Sequence, residues 1–119
     1  PKNIFGENLY EGSSGMKIIK NVDAKLSHFS DDFQESEGQQ LPTYRRLFKA
    51  AVGMTMGKNP EDTIDLYQLG LKIKIDGVDI ELEEAEFRML SAACKNNPAQ
   101  WTSHYHGQVL LKLGESEAK

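Results

Sequence analysis

A single cysteine, Cys94, stands among 119 residues, so no disulfide can form within the chain and a reducing compartment is the simple expectation. No apolar run approaches the roughly 18 residues that a membrane span needs, and no basic start leads into an apolar signal segment. A cationic excess is missing as well: 14 Lys and Arg against 18 Asp and Glu give a formal net charge of −4. Proteins that bind polyanions generally carry the opposite balance. That argues against non-specific binding to nucleic acid or an anionic membrane, and leaves room only for a local basic patch. Internal repeats and low-complexity tracts are absent too.

What remains is the composition of a folded domain: 39% hydrophobic, 27% charged, with 10 glycines and 4 prolines. The length suits one hydrophobic core and is too short for two. Residues 1–15 read apart from the rest. Glu7-Asn8-Leu9-Tyr10 opens like a protease-tag site, and Gly12-Ser13-Ser14-Gly15 reads as a linker. The native chain is therefore expected to start at Met16, with a native mobile arm as the alternative. A single globular domain is expected over residues 16–113, with 114–119 fraying.

Periodicity predicts a mainly α (α+β) fold of about four short helices around one core. A short strand fits Lys17-Ile18-Ile19-Lys20, and a solvated loop fits the polar residues 30–40. Thr43 caps a first helix whose Tyr44, Leu47, Phe48, Ala51 and Val52 make one buried stripe, with Arg45, Arg46 and Lys49 on the solvent side. Asn59-Pro60-Glu61-Asp62 starts a second. Its apolar residues fall on two faces, Ile64, Tyr67, Leu71 and Leu66, Leu69, Ile73, which predicts burial on both sides. Residues 71–82 allow two readings. A hairpin about Asp76-Gly77 would pair Ile75 with Val78, Ile73 with Ile80 and Leu71 with Leu82; alternatively the helix runs on to about Lys74 and only Val78–Leu82 is extended. Charge pairing across the turn favours the hairpin. A third helix from about Glu83 buries Phe87, Leu90, Ser91 and Cys94, and a fourth from about Ser103 presents Tyr105, Val109, Leu110 and Leu113.

No residue set assembles a recognisable reaction centre. Cys94 falls on an apolar helical stripe, where a thiol stays protonated and inert. His104 and His106 on a helix point about 200° apart and cannot chelate one ion together; His28 is isolated. Gly53-Met54-Thr55-Met56-Gly57-Lys58-Asn59 lacks the P-loop and dinucleotide spacings. Neither cofactor nor metal is expected, and the chain does not read as an enzyme. Two charge features could serve binding instead. Arg45, Arg46 and Lys49 form a candidate basic contact patch. Asp76, Asp79, Glu81, Glu83, Glu84 and Glu86 form a candidate acidic strip, six acids and no base in eleven residues.

From Met16 onward the order of elements resembles that of small proteins of unknown role encoded by tailed bacteriophages and prophages. The segments that carry the likeness are Leu41-Pro42-Thr43-Tyr44-Arg45-Arg46-Leu47, Asp65-Leu66-Tyr67-Gln68-Leu69-Gly70-Leu71-Lys72-Ile73, Val78-Asp79-Ile80-Glu81-Leu82 and Gly107-Gln108-Val109-Leu110-Leu111-Lys112-Leu113. The resemblance spans residues 41–113, transfers no site residue, and implies a phage origin and hence the host cytoplasm. It also favours helix through Lys72, with Gly70 standing where alanine is common. The leading expectation is a non-enzymatic phage-type accessory protein that acts through protein–protein contact, in virion assembly or on a host factor, with self-association compatible. The alternative is a nucleic-acid-binding regulator that uses the basic face of the first helix.

Overall fold

Strand β1 (Lys17–Ile19), helix α1 (Tyr44–Met54), helix α2 (Pro60–Ile73), strand β2 (Ile80–Leu82), helix α3 (Glu84–Lys95), helix α4 (Ser103–Gly114) and strand β3 (Glu117–Ala118) follow one another in a computed structural model. It describes residues 15–118. The tag or arm expected at the N-terminus lies, up to residue 14, outside the described residues, as does Lys119.

The helix starts are chemical. Thr43 accepts from the Arg46 N–H at 3.1 Å and opens α1. Asn59 accepts from the Asp62 N–H at 2.8 Å, and Pro60 with Glu61 and Asp62 completes the first turn of α2. At α3 the Glu83 N–H donates to Glu86 Oε1 at 2.9 Å, satisfying an otherwise orphaned donor. Between α3 and α4, Asn97 takes a positive φ of 47° and holds Trp101 on both sides: its Oδ1 accepts from the Trp101 N–H at 2.7 Å, and its Nδ2 donates to the Trp101 carbonyl at 2.9 Å.

The three strands form an antiparallel sheet in the order β2–β1–β3. Ile19 stands opposite Ile80 and Lys17 opposite Leu82. This overturns the hairpin about Asp76-Gly77. Helix α2 continues through Ile73, and Ile80–Leu82 pairs with β1 instead of with residues 71–75. The reason is burial. Helical geometry puts Leu66, Leu69 and Ile73 on one face, and all three are buried. Leu66 and Leu69 are helical in either reading, and burying Ile73 on the same face, at about 2 kcal/mol for an aliphatic side chain, outweighs the roughly 1 kcal/mol that Gly70 costs in a helix. The charge pairing across the turn is lost with the hairpin, and Lys72 pairs with Glu86 at 2.8 Å.

The C-terminal stretch expected to fray also takes up structure: Gly114 closes α4, and Glu117 and Ala118 pair with Ile18 and Lys17. Phe48, Ile19, Leu26, Leu69, Ile73, Leu82 and Leu90 lie at the centre of the core, with Val52, Cys94 and Val109 fully buried around them. Among the described residues, no helix is long and apolar enough to cross a membrane.

Candidate contact face on the second helix

Burial of α2 is one-sided, which corrects the expectation that both of its apolar faces are covered. Leu66, Leu69 and Ile73 go inward, while Ile64, Tyr67 and Leu71 remain 54%, 67% and 38% exposed. Ile75, four residues past Leu71 and just beyond the C-cap Lys74, is 55% exposed. At 100° per residue Ile64, Tyr67 and Leu71 lie opposite the buried row, so their stripe points away from the core. Among the described residues, no other element covers it.

Beside the stripe runs a groove of about 380 Å³ between α1 and α2. Val52 and Leu66 supply apolar surface, Tyr67 and Leu71 line its α2 side, and Lys49 and Lys74 also border it. Two glycines keep it open. A Cβ on Gly53 would meet nothing within 4 Å, and one on Gly70 would meet only Val52 Cγ1 at 3.9 Å. Scattered exposed apolar side chains are ordinary on a protein surface; a row of them along one helix beside an apolar groove is the usual mark of a contact site.

The basic patch is rearranged. Arg45, expected on the solvent side of α1, is 3% exposed. Its Nε donates to Asp23 Oδ1 at 2.8 Å and its Nη2 to Asp23 Oδ2 at 3.1 Å, a two-pronged pair. Nη1 donates to the Ile73 carbonyl at 2.6 Å, and Nη2 also to that of Val78. Asp23 in turn accepts from the Gly77 N–H at 3.1 Å, and the Arg45 hydrogen bond holds its carboxyl below the ordinary value of 3.8. Arg45 thus ties residues 23, 73 and 78 together, and places a cation at the negative end of α2. It is not available to a phosphate. Arg46 and Lys49 stay exposed, and Lys74 joins them around a shallow hollow of about 140 Å³.

The acidic strip disperses in space. Glu84 pairs with Arg88 at 3.3 Å, Glu86 with Lys72, and Asp76 lies 3.7 Å from Arg45 Nε with its own side chain 90% exposed. Glu83 occupies the N-cap of α3, Glu81 lies exposed on β2, and Asp79 is exposed beside a hollow shared with Asn21 and Asp23.

The histidines and the cysteine separate as well. His104 and His106 are both on α4, yet His104 Nε2 meets Ser27 Oγ at 3.1 Å while His106 Nε2 meets the Cys94 carbonyl at 2.7 Å. The Ser27–His104 contact has the elements of a nucleophile and a base. However, Ser27 is also held by Gln108, whose Oε1 accepts from the Ser27 N–H at 2.9 Å and whose Nε2 donates to the Ser27 carbonyl at 3.0 Å. No described residue hydrogen-bonds Nδ1 of His104, so nothing orients the ring as a general base requires. His28, expected to be isolated, stacks on Phe29 and Phe33 with ring centroids 4.5 and 4.1 Å away. Cys94 is fully buried, and burial pushes its thiol up to about 12, leaving negligible thiolate at neutral pH. Among the described residues, no three His, Cys, Asp or Glu side chains converge as a metal-binding group.

No family model matches the chain, and neither a curated protein nor a solved structure matches it.

The α2 stripe escaped the sequence reading because hydrophobicity marks both faces of the helix alike. The signal was nonetheless present. Lys49, Gly53 and Gly70 put small or charged residues where a covering element would need apolar ones.

Proposed function

We propose that this protein works by protein–protein contact and not by catalysis, through the exposed α2 face and the adjoining α1–α2 groove. The carrying observation is the outward row of Ile64, Tyr67 and Leu71 directly opposite a fully used core face. The burial of Cys94, a His104 ring with no orienting partner on Nδ1 among the described residues, and acids without a shared cleft support the same reading. An accessory role in phage assembly or on a host factor agrees with the resemblance of residues 41–113, and the host cytoplasm is the compartment that such a role implies. The test is a pull-down at physiological salt with the intact chain and with Tyr67→Glu. Tyr67 is largely exposed, so the variant keeps the fold; partners retained equally by both would remove the α2 face from the account.

A nucleic-acid regulator remains the second reading, carried by Arg46, Lys49 and Lys74 around one hollow. Phosphate contact would make binding fall steeply with salt, and an Arg46→Ala, Lys49→Ala, Lys74→Ala triple variant would lose it. Apolar contact on α2 predicts little salt dependence, and no effect of Arg46→Ala alone, because Arg46 does not line the α1–α2 groove.

A further inference from the structure

We infer that the α1–α2 groove and the hollow at its end form one binding site for a single-chain amphipathic carboxylate, with the acyl chain between the helices and its head held by Arg46, Lys49 and Lys74. The site is the recess beside the outward row, so it goes beyond the protein-contact reading and does not depend on it. Lys49 and Lys74 line both the apolar groove of about 380 Å³ and the smaller hollow of about 140 Å³, which Arg46 also borders. The two spaces therefore meet at the lysines.

Charge is concentrated at that end. Among the described residues, the side chains of Arg46, Lys49 and Lys74 have no hydrogen bond or ion pair. The hollow also contains Arg45, whose charge Asp23 answers, and Asp76, whose carboxylate lies 3.7 Å from Arg45 Nε. One carboxylate against three unpaired cations leaves the hollow net positive, in a chain whose formal charge is −4. Away from the lysines the groove is apolar. Thr55 Oγ1 donates to the Ala51 carbonyl at 2.6 Å and Thr63 Oγ1 to the Asn59 carbonyl at 3.1 Å, so neither hydroxyl proton is left for a ligand. Val52, Leu66, Leu71 and Tyr67 line the stretch between, where Gly53 and Gly70 add no side chain. From Thr63 to Lys74 the α2 wall is about 16 Å long. That is room for an extended chain of roughly ten carbons. A peptide strand would bring an N–H and a C=O at every residue, with little along the groove to meet them; an alkyl chain asks for nothing.

The test titrates the isotope-labelled full chain with decanoate, kept below its self-association concentration, and follows backbone amide shifts. Saturable shifts are expected at Val52, Gly53, Leu66 and Gly70, with a Kd on the order of 1 mM. Octanoate is expected to bind about fourfold more weakly, because an open groove recovers only part of the effect of burying each methylene. Decyltrimethylammonium, the same chain with a cationic head, is expected to bind roughly tenfold more weakly than decanoate. Replacing the exposed Lys49 and Lys74 together by alanine is expected to weaken decanoate by about the same factor. Gly53→Leu, whose Cβ starts in open space, is expected to block the groove with the fold retained by circular dichroism. Absence of saturable shifts, equal binding of the two heads, or decanoate binding undiminished by Gly53→Leu or by the lysine pair overturns the inference. If decanoate fails while Tyr67→Glu still loses a protein in the pull-down, the groove serves a protein partner and the acyl ligand is wrong. If decanoate binds while the pull-down is indifferent to Tyr67→Glu, the contact reading fails and the ligand site stands.

Discussion

Replacing Arg45 by alanine is expected to cost this protein about 3–5 kcal/mol, whereas the same change at its neighbour Arg46 costs less than about 0.5 kcal/mol. The magnitude follows from the partners. Arg45 gives two hydrogen bonds to Asp23 and one each to the carbonyls of Ile73 and Val78, from a side chain almost wholly removed from water. Asp23 is 45% exposed, so water takes over much of its share and the ion pair itself contributes only about 1 kcal/mol. The two carbonyls lose charge-assisted bonds, at about 1.5–3 kcal/mol apiece before relaxation, and the buried stem leaves a cavity. Arg46 has no side-chain partner among the described residues. Urea and thermal unfolding followed by circular dichroism read both variants, with a drop of about 15 °C or more expected for Arg45→Ala. Arg45→Lys is not expected to rescue, because an ammonium cannot reach Asp23, Ile73 and Val78 from one fixed fork. Equal losses at positions 45 and 46 would refute the reasoning, and would return Arg45 to the list of residues free to bind a phosphate.

Other perturbations follow from single residues. Gly70→Ala should stabilise the chain by about 1 kcal/mol in urea unfolding, because the new methyl meets only Val52 Cγ1 at an ordinary 3.9 Å while the helix gains propensity. Gly57→Ala should do the reverse and strongly, since its Cβ would stand 2.7 Å from the Thr63 nitrogen and 2.8 Å from the Thr63 Cα; a melting temperature unchanged by this substitution would contradict the close approach. The native state binds a proton on Asp23 less readily than the unfolded chain does. The stability this residue contributes is therefore fully present above pH 3.8, and is lost as pH falls through the lower folded value. Asp23→Asn should flatten stability against pH in that acid window. Cys94 should react with a thiol reagent only on the timescale of unfolding, and rapid modification of the native protein would contradict its burial.

How much of this was legible in the sequence depended on whether the signal was local. Thr43 and Asn59-Pro60 announced their helices because a cap is a matter of four adjacent residues. Arg45 was misplaced for a geometric reason. It lies within about 20° of Val52 around α1, at the border of the apolar stripe, and only Asp23 and the end of α2, brought up from elsewhere in the chain, make burial there tolerable. The alternation in residues 71–82 satisfied a hairpin locally, but Ile80 found Ile19 across more than sixty residues, a pairing that no local pattern encodes. Glu117 and Ala118 are too short a strand to carry any signal. On α2 both apolar rows were visible; which one the fold would use depended on how many other elements were available to cover the second.

Occupation of the outward face of α2 by another protein is the proposal on which the rest depends. A photo-crosslinking amino acid in place of Tyr67, with the same residue in place of the 71%-exposed Leu111 on α4 as control, addresses that directly. A discrete adduct with a partner protein is expected from position 67, and none from position 111. Absence of an adduct at position 67, or equal labelling at both positions, would contradict it.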